Sequence, residues 1–287
     1  MTILFALLAS LSNALNVVTQ HKASIQNPRN AKGWRLIPYL FTSPLWLFGW
    51  VALAGAFVFQ ALALHRGQMS VVQPLLVTEL VFALVLRRIW VHQDIRAITW
   101  WSAVFTCLSL ALFLWISEPQ GGSSLPSSHA WDAAITTFVG ITVALTLLGM
   151  WGSPKRRAVL MASATAILWA LVATFLKTTT DTISQFGLSG AFVHWPIYAL
   201  AVAGLTAEIL NQVTLHVGPL SVSQPFLVIV DPIVSILLSV WIFEEYFTSD
   251  ALRVALAAIA FAGMCVAVTF LTTTAPATMD PAQPEAR

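Results

Sequence analysis

Residues 61–77 read ALALHRGQMSVVQPLLV and residues 212–228 read QVTLHVGPLSVSQPFLV. At an offset of 151 they share Leu64/Leu215, His65/His216, Gly67/Gly218, Ser70/Ser221, Val71/Val222, Gln73/Gln224, Pro74/Pro225, Leu76/Leu227 and Val77/Val228. Nine identities in seventeen ungapped positions exceed what two apolar segments share by composition alone. A weaker correspondence at an offset of 155 sets Lys22 opposite Lys177, preceded by Thr19 and Thr174. The chain therefore consists of two related halves. In each, the repeated stretch reads as a helix end, a tight turn and the start of the next helix.

The surroundings of these stretches are those of a membrane protein. Of 287 residues, 58% are apolar and 9% charged, where a soluble domain has about 25% charged residues. A mean hydropathy of +0.81 excludes a water-facing globule. Nine runs are long enough to cross a bilayer, at 2–19, 44–64, 69–88, 98–116, 133–151, 158–180, 196–216, 219–243 and 251–271. The first lacks a basic leader and has a counterpart in the second half, so it is read as a retained helix. A net charge of +2 gives no sign of a nucleic-acid partner. Cys107 and Cys265 lie in apolar runs and support neither a disulfide framework nor a thiolate metal site.

Basic residues set the orientation. With the N-terminus outside, the internal segments hold Lys22, Arg29, Lys32, Arg35, Arg87, Arg88, Arg96, Lys155, Arg156, Arg157 and Arg287, eleven of the fourteen. Only Arg66, Lys177 and Arg253 stay outside, which is a strong positive-inside asymmetry. The predicted fold is an all-α polytopic membrane protein of the cell membrane, N-terminus outside and C-terminus cytoplasmic. Residues 1–151 form a first repeat of helices 1–5, residues 152–271 a second of helices 6–9, and 272–287 a disordered cytoplasmic tail. Five is odd, so the second repeat enters from the opposite face. The result is an inverted-topology repeat of five plus four helices, an arrangement shared by many alternating-access transporters.

Within the hairpins, Gly67 and Gly218 are expected to supply the left-handed residue that ends a helix, and Pro219 suits the first turn of the next. The histidines read as interfacial caps. Pro74 and Pro225 cannot donate to Ser70 and Ser221, so both helices should bend there; Gln73 and Gln224 are either buffers of a packing kink or, with the kinked half-helices, lining of the substrate pathway, one per half.

Three acids fall near span centres: Glu79, Glu208 and Asp231. Each costs about 2.5–3.5 kcal/mol to insert at the helix centre unless a partner, a proton or a cation offsets it. Pro232 frees the Val228 carbonyl beside Asp231, a suitable oxygen site for a hard cation or a proton-coupling group. Glu79 aligns with Val230, one position from Asp231. Lys177 is placed near the end of helix 6, away from the acids. Asn13, Asn16 and Gln20, with Ser10, lie on one polar face of helix 1, which either lines a watered substrate pathway or makes interhelical hydrogen bonds. Trp169, near the centre of helix 6, is either a packing residue or a stacking platform. Glu244 and Glu245 are read as solvated at a helix end, as are Glu118 and Asp132.

The hairpins, GQMSVVQP at 67–74 and GPLSVSQP at 218–225, resemble the drug/metabolite transporter superfamily, EamA-like branch. The nine spans, external N-terminus and polar first helix are also similar to the NIPA-type magnesium transporters. The resemblance implies a multi-pass permease, not an enzyme, that moves a small metabolite or drug-like solute without ATP hydrolysis or a cofactor. It leaves a monomer and a homodimer both open. The partners expected are the bilayer and a small-molecule or cation substrate. A divalent-cation permease is the alternative, with any metal unspecified, and an intramembrane enzyme is a remote one.

Overall fold

The computed structural model describes residues 1–25, 43–92, 94–122, 126, 128–247 and 250–274. Among these, nine helices are long and apolar enough to cross a membrane. They are α1 (Thr2–Ile25), α2 (Pro44–Arg66), α3 (Met69–Val91), α4 (Ala97–Ser117), α5 (Ser128–Leu148), α6 (Pro154–Ala191), α7 (Pro196–Val217), α8 (Leu220–Ile242) and α9 (Ala251–Thr274). All nine expected spans are present. Arg29, Lys32, Arg35 and Arg287, which contribute to the orientation reading, lie outside the described residues, as does the tail from 275 onward.

The outer surface is apolar, unlike that of a soluble domain, and the mainly apolar interior also holds many hydroxyl groups. Trp101, Trp115, Leu205, Val202 and Ile259 project outward, while Ser10, Thr19, Thr106, Thr165, Thr174 and Ser235 are buried. With lipid as solvent, apolar side chains lose nothing by facing out, and buried hydroxyls bond to helix carbonyls. The chain is a multi-pass membrane protein.

Helix α1 packs along α2 and α3, and α6 packs along α7 and α8. Helix α4 pairs with α9, and α5 lies on α6 and α8. The two halves meet along α4–α9, where α5 lies on α6 and α8, where α2 touches α6, and where the first part of α3 touches α8. Helices α1 and α7 form no comparable interface among the described residues. A two-residue strand β1 (Gln120–Gly121), after α4, pairs antiparallel with β2 (Glu245–Tyr246), after α8. These strands and the α2–α3 hairpin lie on the side where α1 begins, since the Thr2 hydroxyl donates to the Arg66 carbonyl at 2.9 Å. That side is called the Thr2 face below.

Two local expectations are corrected. Gly67 and Gly218 are not left-handed: both are extended, with φ −153° and −167°. Neighbouring helices explain the glycines instead. A Cβ on Gly67 would lie 2.2 Å from the Thr2 Cγ2, and one on Gly218 would lie 2.5 Å from the Pro154 carbonyl oxygen. In each half, the start of the first helix presses on the hairpin glycine. The prolines also behave differently from one another. Helix α3 is interrupted at Val77, three residues after Pro74, and ends in a π-helical turn, Arg87–Val91. Helix α8 continues through Pro225 and Pro232.

These contacts predict unequal costs. Gly218→Ala forces a methyl against backbone and is expected to destabilise by about 1–3 kcal/mol, the usual cost of overpacking. Gly67→Ala meets the side chain of Thr2, beside the chain terminus, and should cost less. The melting temperatures of the two purified variants, read against wild type, test the order.

Candidate functional site

Helix α3 brings Glu79 to the middle of the molecule and α8 brings Asp231 there. Asn13 of α1 donates through Nδ2 to Glu79 Oε2 at 2.8 Å, and Ser235, one turn beyond Asp231, donates to Asp231 Oδ1 at 3.1 Å. The two acids are close enough for the charge of Glu79 to act on Asp231. Protein surrounds both, yet each keeps part of its surface accessible. Each carboxylate has one side-chain donor and spare acceptor capacity.

The interruption of α3 helps to place Glu79. The Leu75 carbonyl receives the Thr78 hydroxyl at 2.7 Å and the Ser10 hydroxyl at 3.3 Å. Ser10 therefore clamps α1 to the break, and Asn13, nearly one turn further along α1, falls beside Glu79. Further along the same face, Gln20 Nε2 donates to Asn16 Oδ1 at 2.7 Å, and both residues keep part of their surface accessible. Gln73 is buried with its Nε2 unbonded, whereas Gln224 is partly exposed.

Two expected site residues do not join this group. Glu208 is on the exposed surface of α7, bonded by Gln212 Nε2 at 2.7 Å. Helix α7 buries the small side chains Ala203 and Ala207, and the next residue points about 100° away from that face. Trp169 packs, half-buried, against the main apolar cluster. Glu208→Gln is accordingly expected to leave any transport through the central site unchanged, within twofold in an uptake assay.

The Thr2 face holds charged groups that the sequence reading misplaced. Lys177 is buried well inside α6, not at its end: Nζ donates to the carbonyls of Leu64 and Gly67 at 3.0 and 3.1 Å and lies 5.2 Å from the Phe243 ring centroid. One turn on, Asp181 pairs with His65 Nδ1 at 2.9 Å, so His65 bridges the halves instead of capping its own helix. Helix α6 runs beyond 180 because its threonines satisfy themselves. Thr178, Thr180 and Thr182 each donate to the carbonyl four residues back, which hides their polarity from lipid. Gly187, with φ 73°, marks the kink in its final turns.

Glu245 is also corrected: it is 2% exposed, not solvated. Its carboxylate accepts from the backbone N–H groups of Met69 and Ser70, at 2.7 and 3.0 Å, and from the Ser70 hydroxyl at 2.6 Å. Glu244, left-handed with φ 56°, turns the chain so that Glu245 reaches them. Gln68, at the N-cap of α3, makes no side-chain cap bond, so the orphan amides of that helix need an acceptor from elsewhere. Beside this contact, Trp131, Phe175, Trp195 and Phe243 form an aromatic cluster, with Trp131 stacked on Phe175 at 5.5 Å and edge-on to Trp195 at 5.0 Å.

No family model and no solved structure matches this chain. The chain is similar to an uncharacterized protein of Corynebacterium glutamicum, with 27% identity over 250 residues covering 86% of each chain. Fold and site together describe an all-α, multi-pass membrane protein that surrounds a pair of accessible carboxylates with helices from both halves.

Proposed function

We propose that this protein is a secondary transporter of the drug/metabolite transporter type, moving a small solute by alternating access between two inverted repeats of five and four helices. The observation that carries the reading is the meeting of Glu79 and Asp231. They sit one register position apart in the repeat, on α3 and α8, partly accessible and close enough for the charge of one to act on the other. Two carboxylates at that depth are expensive unless a proton or a cationic ligand shares them. Inverted-repeat transporters place substrate and coupling-ion sites in such a position.

The packing supports the same reading. Besides the α4–α9 and α5–α6 contacts, the halves are joined at the Thr2 face by α2–α6, Lys177, the Asp181–His65 pair and Glu245, while α1 and α7 form no comparable interface among the described residues. With the positive-inside orientation, this is a state closed to the outside of the cell membrane. The chemistry of the site favours a solute bearing positive charge, taken in exchange with a proton or another cation.

A divalent-cation permease is the second reading. It is favoured by the oxygen-rich set of Glu79, Asp231, Asn13 and Ser235, which suits a hard cation that keeps several of its waters. A thermal-shift screen of purified protein against organic cations, neutral metabolites, magnesium and manganese separates the two, since a ligand that binds the folded state raises its apparent stability. Stabilisation by an organic solute and its uptake into proteoliposomes is the expected outcome. Stabilisation by divalent ions alone, with growth rescue of a magnesium-uptake-deficient host, establishes the second reading. No stabilising ligand together with no uptake overturns both.

A further inference from the structure

Lys177 and Lys22 occupy matched positions in the two halves, yet the structure uses them differently. Lys177, from the second half, reaches across to the first and donates to the carbonyls of Leu64, in the last turn of α2, and of Gly67, its C-cap. Those carbonyls have no partner within their own helix, and a cation at a helix C-terminus is favoured by the helix dipole. Lys22, in the last turn of α1, stays within its own half and donates to the Trp90 carbonyl, in the last turn of α3, at 3.2 Å.

The repeat supplies the missing counterpart of each bond. At the offset of 151, Leu64 and Gly67 correspond to Leu215 and Gly218, at the end of α7. At the same offset Trp90 corresponds to Trp241, in the last turn of α8. Trp241 lies two residues before Phe243, whose ring Lys177 already covers. Each lysine thus has one carbonyl acceptor in its own half and a carbonyl pair in the other, at chemically identical positions. In the present conformation Lys177 uses the cross-half pair and Lys22 the same-half acceptor.

We infer that Lys177 and Lys22 are reciprocal gate latches, and that the opposite conformation exchanges their partners. In that state Lys22 leaves the Trp90 carbonyl and donates to those of Leu215 and Gly218, closing the face opposite Thr2. Lys177 releases Leu64 and Gly67 and donates to Trp241, opening the Thr2 face. The number of ammonium–carbonyl bonds then differs little between the two states, so neither lysine is left buried and unpaired at the end of the exchange.

The two closures are unequal. At the offset of 155, Asp181 corresponds in the sequence to Gln26, and among the described residues the Thr2 face alone adds a carboxylate–imidazole pair to its lysine. This makes closure at the Thr2 face the resting state.

The inference rests on the transport reading, but its test does not need the substrate. Spin labels at Arg66 and Phe186 report the Thr2 face, and labels at Val17 and His216 the opposite face, in full-length protein with Cys107 and Cys265 replaced by Ala, reconstituted in liposomes. Pulsed electron–electron distance measurements on the parent should give a short first distance and a long second one. Lys177→Met is expected to move the population about tenfold toward a long first and short second distance, since bonds to a charged donor are lost from one state more than the other. Lys22→Met is expected to reduce that second population, and Lys177→Arg, which keeps the donor, to stay near the parent. Shifts in the same direction for both Met variants, or no shift in either, overturn the latches. If neither pair moves while proteoliposome uptake is measurable, the latches fail and transport stands. If neither pair moves and the ligand screen is also blank, the transport reading falls with them.

Discussion

Asp231→Asn is expected to abolish uptake of the solute into proteoliposomes while the protein still inserts, purifies and elutes as wild type. Glu79→Gln should cut uptake about 10- to 100-fold, because a bond to a charged group contributes about 1.5–3 kcal/mol and the amide keeps the shape but not the charge. The asymmetry comes from their surroundings. Glu79 has the Asn13 amide to help hold it, whereas the partner of Asp231 is the Ser235 hydroxyl on its own helix, so a ligand contributes more to offsetting the burial of Asp231. Folding is expected to survive, since neutral amides at these positions are cheaper to bury than carboxylates. On the transport reading, substrate or proton binding supplies what the wild-type acids lack, and the variants remove that need together with the activity. Full uptake by the double variant sinks the assignment of the site.

Glu245→Ala should produce the largest loss of stability of any single substitution considered. It strips one acceptor group from three donors at once: the amides of Met69 and Ser70 and the Ser70 hydroxyl. Leaving buried donors unpaired costs about 1–3 kcal/mol for each group. Some relaxation brings the expected total to about 3–5 kcal/mol, in the range found for breaking a buried ionic contact. The measurement is the temperature at which half of the purified protein leaves the monodisperse peak on size exclusion. Glu245→Gln should fall between, since its amide keeps one acceptor oxygen but turns an NH2 toward a donor. Ser70→Ala should cost about 1 kcal/mol, the contribution of a single hydrogen bond. A Glu245→Ala protein as heat-resistant as wild type would show that the α3 amides find another acceptor.

Much of this fold is legible along the chain, because lipid imposes a one-dimensional rule. Each span must be about 20 apolar residues, and the nine runs in the sequence correspond to nine helices. Helix α6 shows where the rule misreads an end. Thr178, Thr179, Thr180 and Asp181 look like a polar boundary, but the hydroxyls of Thr178 and Thr180 return to backbone carbonyls and the helix continues. The same misreading placed Lys177 at a helix end and left Asp181 out of account. Glycine carries a similar ambiguity. Its presence at 67 and 218 marks both turns, but whether it serves a positive φ or a close neighbour is decided by a helix more than 60 residues away at both sites.

Among the acids, hydropathy separates depth but not direction. Glu79, Glu208 and Asp231 are similar in sequence, each alone in an apolar run. Helical rotation against neighbours then turns two of them inward and leaves Glu208 on the surface. Glu245 is the converse case. An acid in a short loop reads as solvated, and only the docking of that loop on the bare N-terminus of α3 buries it.

The amino-acid sequence by itself determined the solvent, the number of spans and the kinship of the hairpins, since these depend on local composition and on residue identity at a fixed offset. Tertiary structure decided which of the matched residues are used. Lys22 and Lys177 are equivalent in the repeat, yet one bonds within its half and the other across it. The reason is physical: the acceptor each lysine reaches is set by how the helices around it pack, and residue identity at a fixed offset carries no record of that packing.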